Sequence, residues 1–178
     1  MIIQFCGLSG SGKTLLANKA KEQFKSEHLH IEVIDGDEYR RSLCSDLGFS
    51  QSDRHTNIRR LAFVASRFAQ YGIIPIICAI NPYQLIRQEV SSTYPDVKTV
   101  YLKCGLEELI RRDTKGLYAR AILPPGHSDR LNNLSGINDP FEVPANPDLV
   151  LETDRETVNE SAQRLFSFIK DSNYATVF

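Results

Sequence analysis

The chain has 178 residues, of which 42% are hydrophobic, and a formal net charge of −1. This length is enough for one well-buried domain and too short for two ordinary ones, so we expect a single domain over residues 1–178. A charge this close to zero excludes a chain-wide basic surface, and with it nucleic acid or an acidic membrane as a partner. The four cysteines lack the spacing of a zinc or redox site, and residues 1–5 already resemble a strand and not a leader. We therefore expect reduced thiols and a cytoplasmic protein.

Apolar runs and helical periodicity alternate along the chain. Short, nearly continuous runs predict buried strands at residues 2–6, 31–34, 73–80, 97–102 and 149–151. Three- and four-residue apolar spacing predicts helices at residues 13–24, 53–71, 82–90, 106–112 and 156–170. The alternation predicts an α/β fold in which a five-stranded parallel sheet lies between two layers of helices. In such sheets, ligands bind at the carboxyl ends of the strands.

A glycine-rich stretch joins the first predicted strand to the first helix and fits the pattern G-x-x-x-x-G-K-[ST]. In this context it indicates a nucleotide phosphate site and a P-loop NTPase-type sandwich. Backbone N–H groups and the helix N-terminus would bind the phosphates, the lysine would follow the β- and γ-phosphates, and the threonine hydroxyl would bind Mg²⁺. The predicted ATP-binding residues are Gly7, Leu8, Ser9, Gly10, Ser11, Gly12, Lys13 and Thr14.

An acidic pair ends the second predicted strand, in the sequence Asp35-Gly36-Asp37. At the carboxyl end of a strand, these carboxylates would face the phosphate loop, close enough to meet Mg²⁺ or an acceptor hydroxyl. Asp35 or Asp37 is therefore the candidate base. The chain contains no Asn-Lys-x-Asp sequence of the kind that recognises guanine, which argues against a GTPase.

Basic and aromatic residues follow the acidic pair. Arginines supply planar donors for phosphate or sulfate oxygens, and a phenylalanine beside Gly48 is placed to stack on a base. The sequence therefore predicts an acceptor-binding region, with Arg40, Phe49, Arg54 and Asn57 as its first members.

The segment at residues 113–147 contains five prolines and three glycines and shows no sustained periodicity. A loop this long inside a compact domain is usually functional. Its basic residues, among them Lys115, suit a flap that closes over anionic ligands and excludes water. A solvated surface excursion is the alternative interpretation.

Several strings of residues, in order over about 150 positions, resemble the adenylylsulfate (APS) kinase family. They are Gly-Leu-Ser-Gly-Ser-Gly-Lys-Thr at 7–14, Asp-Gly-Asp at 35–37, Leu-Gly-Phe-Ser at 47–50, Asp-Arg with Asn-Ile-Arg-Arg at 53–60, Lys-Gly-Leu-Tyr at 115–118, and Gly-Ile-Asn-Asp-Pro at 136–140 followed by Asn-Pro-Asp-Leu-Val-Leu at 146–151. The resemblance implies a single P-loop kinase domain that transfers the γ-phosphate of ATP to the ribose 3′-hydroxyl of adenosine 5′-phosphosulfate. It also favours a homodimer.

Residue by residue, the resemblance implies catalytic roles for Lys13, Asp35 and Asp37, with Thr14 and Asp35 at Mg²⁺. It also implies an acceptor site, made of Asp37, Arg40, Phe49, Arg54, Asn57, Ile80, Asn81, Lys115 and Leu134.

Three departures from the family pattern fall on the acceptor side. Asn81 stands where many members have a serine before proline, and Leu134 stands where the family has a base-stacking phenylalanine. Loss of a stacking ring costs about 1–3 kcal/mol. The flap is also longer than the family pattern, at residues 122–130.

Two alternatives to APS phosphorylation stay open at this point. The departures motivate a related kinase that acts on another nucleotide, such as a cytidine diphosphate or phosphoramidate derivative used in polysaccharide modification. A non-catalytic nucleotide-binding module is the other alternative. It would be marked by a broken Lys13, Thr14 or Asp35, and all three residues are present.

Overall fold

A computed structural model describes residues 1–27 and 29–174 of the chain. Five parallel strands form one sheet in the order β2-β3-β1-β4-β5. The strands are β1 (Ile2–Cys6), β2 (Ile31–Asp35), β3 (Ile74–Cys78), β4 (Val97–Lys103) and β5 (Leu149–Glu152). The predicted α/β fold is confirmed. The third strand is shorter than the predicted 73–80, and the chain enters a positive-φ conformation three residues after its end, at Asn81.

Helices flank both faces of the sheet. They are α1 (Lys13–Phe24), α2 (Gly36–Arg41), α3 (Gln51–Gln70), α4 (Gln84–Thr93), α5 (Leu106–Arg112), α6 (Leu117–Ala121) and α7 (Val158–Tyr174), with a 3-10 helix at Lys25–Glu27. Helix α7 begins two residues later than predicted, because Thr157 and Glu160 form a capping box that sets its start. Helices α2 and α6 were not predicted, since six and five residues are too few to show a period.

Side chains alternate across β1 and supply two apolar cores. Ile3 and Phe5 pack with α1 and α7 on one face of the sheet, and Ile2 packs with α3 and α4 on the other. This two-sided burial explains why the strands consist of nearly continuous apolar runs. One buried polar residue, Gln4, interrupts the pattern in β1.

A third apolar cluster joins the predicted flap to the rest of the fold. Leu109 of α5 packs with Tyr118 and Ala121 of α6 and with Leu134. The prediction of an irregular segment at 113–147 is therefore incomplete, because α6 and this cluster dock part of it, whereas residues 123–129 are largely exposed. None of the helices in the described residues is long and apolar enough to cross a membrane.

Candidate active site

A cleft of about 940 Å³ opens at the carboxyl ends of the strands. The phosphate loop, the end of β2, the start of α3 and the flap all contribute to its walls. Lys13 and Asp35 share this cleft, as the sequence predicted. The other predicted residues that line it are Ser9, Gly10, Ser11, Gly12, Thr14, Asp37, Arg40, Phe49, Arg54, Asn57, Ile80, Asn81, Lys115 and Leu134. Gly7 and Leu8 do not line it.

The phosphate loop has the backbone that anion binding requires. Gly10 and Gly12 adopt φ values of +79° and +91°, which residues with a Cβ rarely reach. At Gly7, a Cβ would approach the carbonyl oxygen of Leu102 to 2.7 Å, so the loop passes β4 at a distance that only glycine allows. No side chain caps α1. The N–H groups of its first turn are therefore available to a phosphate.

Lys13 folds back over the loop. Its Nζ donates to the carbonyl oxygens of Gly7 at 2.8 Å and Leu8 at 2.7 Å. Burial lowers the pKa of Lys13 to about 8. The ammonium therefore loses its proton more readily than that of an exposed lysine. Phosphate oxygens bound beside it would raise its pKa again and keep it charged.

Thr14 and Asp35 are joined across the cleft. The Thr14 hydroxyl donates to Oδ2 of Asp35 at 2.6 Å, while Oδ1 of Asp35 accepts from the backbone of Asp37 and Glu38 and so caps α2. Burial raises the pKa of Asp35, but the hydrogen bonds from Thr14, Glu38 and Asp37 together outweigh it and lower the pKa overall. Asp35 is therefore a carboxylate at neutral pH and a weak proton acceptor. A hydroxyl beside an ionised carboxylate is an oxygen pair that suits Mg²⁺.

The second acid of the pair is held from the flap. Lys115 donates from Nζ to Oδ2 of Asp37, and both side chains are more than half exposed. The contact connects the first turn of α2 to the segment that precedes α6. An ion pair this exposed contributes little to stability. Both of its residues line the cleft, so it bears on ligand binding more than on folding.

Phe49 forms an exposed platform close to two guanidinium groups. The guanidinium carbon of Arg40 lies 4.6 Å from the ring centroid, and that of Arg54 lies 5.6 Å from it. Burial and the charge of Arg54 lower the pKa of Arg40. An exposed ring with two guanidinium groups close to it suits a base that carries an anionic substituent.

Arg54 also connects this platform to the flap. Its Nε donates to the carbonyl of Phe49 at 3.0 Å, and Nη2 donates to the carbonyl of Asn133 at 2.6 Å. The same Nη2 lies 3.0 Å from Oδ2 of Asp139. These contacts bury Arg54, so it positions the platform in addition to supplying charge.

Two amide side chains of the cleft wall have unsatisfied oxygens. Asn57 and Asn81 are buried, and the Oδ1 atom of each has no hydrogen-bond partner in the part of the chain that the structure describes. Buried polar atoms are costly to leave unpaired, so such oxygens are candidates for a ligand or an ordered water. Leu134 lines the cleft from within the third apolar cluster.

The far end of the cleft was missed by sequence reasoning. Residues of α5 and of the start of α7 line it, and Arg112 donates from Nη2 to the carbonyl of Thr153 at 2.7 Å. The sequence also did not predict that Tyr118 links α6 to the phosphate loop. Its buried hydroxyl donates to the carbonyl of Ser9 at 2.8 Å. The residues concerned at the far end are Glu108, Arg111, Arg112, Thr153, Thr157 and Ser161. They carry no motif, and only the fold brings them together.

The parallel sheet, the glycine loop on α1 and the hydroxyl–carboxylate pair define the class of P-loop kinases. The family model described as adenylylsulphate kinase matches residues 1–152, and the chain belongs to this family.

The chain is similar to relatives over nearly its full length. It is 41% identical over 172 residues to an adenylyl-sulfate kinase of Halothermothrix orenii, covering 97% of this chain and 90% of the relative. It is 38% identical over 174 residues to that of a Picosynechococcus species, covering 98% and 96%. It also spans 29% of the length of a probable bifunctional SAT/APS kinase of Sorangium cellulosum, with 38% identity.

A solved structure shows the same architecture. The Mycobacterium tuberculosis APS kinase CysC, in complex with AMPPNP and APS, matches with a TM-score of 0.86 and 35% identity, covering 95% of this chain and 96% of that one. The resemblance stated from the sequence strings is thereby confirmed.

Proposed function

We propose that the chain is an ATP-dependent kinase that phosphorylates the ribose 3′-hydroxyl of adenosine 5′-phosphosulfate, giving 3′-phosphoadenylylsulfate and ADP. The observation that carries this proposal is a single cleft with the phosphate loop on one side and Phe49 with its two arginines on the other. Membership of the adenylylsulphate kinase family supports it. So does the similarity to an APS kinase whose structure contains AMPPNP and APS.

On the donor side, loop N–H groups and Lys13 would bind the ATP phosphates. Lys13 would exchange its contacts with the Gly7 and Leu8 carbonyls for phosphate oxygens, which raises its pKa and keeps it charged. Such positioning and charge neutralisation supply most of the catalysis in phosphoryl transfer, because the transition state is loose.

Thr14 and Asp35 are the residues that would hold Mg²⁺, and the ion would supply positive charge against the charge that develops on the phosphates. The donor set is one hydroxyl and one carboxylate, and the described residues hold no cluster of three His, Cys, Asp or Glu residues that would form a protein-only metal cage. A donor set this small suits Mg²⁺, which proteins usually hold through only one or two carboxylates. Because its pKa is lowered, we assign Asp35 to the metal and to orientation and not to proton removal.

On the acceptor side, Phe49 would stack on the base, and Arg40 and Arg54 would face the anionic 5′ substituent. Asn57, Ile80, Asn81 and Leu134 would complete the wall. Asp37 and Lys115 would lie beside the reacting sugar, where the exposed carboxylate of Asp37 is the candidate to accept its proton.

A homodimer and a cytoplasmic location belong to the same proposal. The hexameric APS kinase of Thiobacillus denitrificans, which is 26% identical and matches with a TM-score of 0.69 over 29% of its chain, supports self-association. Four free cysteines support a reducing compartment.

The direct test is ADP release from ATP and Mg²⁺ with a panel of acceptors. We expect efficient turnover with adenosine 5′-phosphosulfate and little with cytidine diphosphate derivatives. Preference for a pyrimidine nucleotide would support the alternative kinase that the departures at Asn81 and Leu134 motivate. ATP binding without turnover of any acceptor would favour the non-catalytic module.

Replacement of Phe49 by leucine is expected to raise the KM for the acceptor about tenfold or more while leaving the KM for ATP unchanged, because a base-stacking ring contributes about 1–3 kcal/mol. Phe63 offers a matched control. It is 56% exposed against 49% for Phe49, it also carries an arginine over its ring, and it lies outside the cleft. Phe63→Leu should leave both constants unchanged. An equal effect of the two substitutions on the acceptor KM would remove the stacking role.

A further inference from the structure

A buried glutamine lies in the central strand of the sheet. Gln4 is fully buried between β3 and β4, on the face covered by α4. Three oxygens surround its Nε2 atom, and they belong to the Arg87 carbonyl, the Ser91 hydroxyl and the Thr99 hydroxyl, at 3.0 to 3.1 Å. A polar side chain in the middle of an apolar sheet is expensive unless all its groups are paired. We therefore examine what the hydrogen bonds of Gln4 hold in place.

The carbonyl of Arg87 fixes which way the Gln4 amide points. A backbone carbonyl only accepts hydrogen bonds, so the NH₂ group of Gln4 must face it, whereas the two hydroxyls can either donate or accept. The Oε1 atom of Gln4 therefore faces the opposite direction. There it accepts from Nδ2 of Asn81 at 3.1 Å.

The orientation of the Gln4 amide in turn fixes the orientation of the Asn81 amide. Because Gln4 presents an acceptor, Asn81 must present its NH₂ group to it, and a flipped amide would place two oxygens in contact. Arg87 holds the backbone of the same residue, donating from Nη1 to the Asn81 carbonyl at 2.6 Å. These contacts fix a residue whose φ is +49°, a value at which asparagine is tolerated better than most residues. What remains is Oδ1, buried and without a protein partner among the described residues.

We infer that Gln4 is a positioning residue that fixes the Asn81 amide so that the acceptor wall offers a hydrogen-bond acceptor, selecting nucleotides that bring a donor to it. The inference rests on the proposed function and deepens it. Two groups on adenosine 5′-phosphosulfate have this chemistry, the exocyclic amine of the base and the ribose 2′-hydroxyl. Gln4 itself lies behind the wall and touches no substrate, since it does not line the cleft.

The test compares the kcat/KM of adenosine 5′-phosphosulfate with those of its inosine and 2′-deoxy analogues. The first replaces the exocyclic amine by a carbonyl, and the second lacks the 2′-hydroxyl. The unmodified chain should disfavour one analogue about tenfold or more, because that analogue leaves a buried acceptor unpaired. Gln4→Met removes the oxygen that holds Asn81 while keeping the side-chain length. It should reduce this preference to about twofold or less by freeing the Asn81 amide to turn.

Two further variants separate positioning from general disturbance of the core. Gln4→Glu keeps an oxygen toward Asn81 and, held in its protonated form by burial, can donate to the Arg87 carbonyl in place of Nε2, so the preference should persist. Thr99→Val removes one partner of Nε2 and leaves the contact between Gln4 and Asn81 intact, so it too should keep the preference. Gln4→Leu replaces Gln4→Met if thermal melting shows the methionine variant to be unfolded.

The outcomes divide clearly. Loss of the preference in the apolar variants, with retention in Gln4→Glu and Thr99→Val, supports the inference. It is overturned if both analogues are used as well as the parent, if the apolar variants keep the preference, or if all the variants lose it alike. Absence of turnover with the parent nucleotide in the unmodified chain would instead count against the proposed function.

Discussion

Asp35→Asn and Asp35→Ala are both expected to release ADP about a thousandfold more slowly than the unmodified chain while still binding ATP. The carboxylate accepts the Thr14 hydroxyl and would hold Mg²⁺ at the phosphates, and loss of a preorganised charge of this kind costs about 4 kcal/mol of transition-state stabilisation. The measurements are single-turnover ADP release with the acceptor present and calorimetric titration with ATP.

The pair of variants separates catalysis from folding. Asp35 also caps α2 through Oδ1, and loss of a cap costs about 1 kcal/mol of stability. Asparagine can keep that cap, whereas alanine cannot, so only Asp35→Ala should melt at a lower temperature. If Asp35→Asn recovers normal turnover, the carboxylate serves only as a helix cap and its assignment to the metal is wrong.

Lys13→Met is expected to lower kcat by about a hundredfold or more, because methionine keeps the length of the side chain but brings no charge to the transferring phosphoryl group. Lys21→Met is the matched control. Lys21 lies on the same helix, pairs with Glu32 at 2.8 Å and does not line the cleft. That control should leave kcat unchanged, and an equal loss in both variants would point to disturbance of α1.

The lowered pKa of Lys13 predicts that ATP binding depends on pH. Burial lowers this pKa to about 8 in the ligand-free molecule, and bound phosphates raise it. ATP therefore binds the charged form more tightly, and its dissociation constant should rise as the pH increases through 8 and above. Proton uptake on binding, measured calorimetrically in buffers of different ionisation enthalpy, should vanish in Lys13→Met. Uptake of the same size in that variant would assign the proton to another group.

The elements with long patterns were predictable from the sequence, and the short ones were not. Helix α1 matches its predicted bounds, because a glycine loop sets its start and the apolar period runs for three turns. Helix α2 was not predicted, because its start depends on the Asp35 side chain accepting hydrogen bonds from the backbone N–H groups of Asp37 and Glu38. Such local hydrogen bonds compete with other conformations and leave no period to detect.

The site divides in the same way. Residues 7–14 form a local motif whose geometry follows from three glycines, so the sequence alone predicted it. The contact of Arg54 with Asp139 joins residues 85 positions apart, and Gln4 meets Asn81 across 77. Contacts of this range depend on the order of strands in the sheet, which apolar runs do not encode. Gln4 was accordingly assigned to an apolar strand without a role of its own.

The exposed stretch at residues 122–130 bears on how this chain can diverge from its relatives. The backbone N–H of Leu131 donates to the carbonyl of Arg120 at 3.1 Å, which closes the stretch at its base, and none of its residues lines the cleft. Lengthening such a loop costs little, since closure entropy grows only slowly with length. Insertions there are evolutionarily cheap and lie outside the cleft. The departures at Asn81 and Leu134 line it, so they are the ones placed to change nucleotide preference.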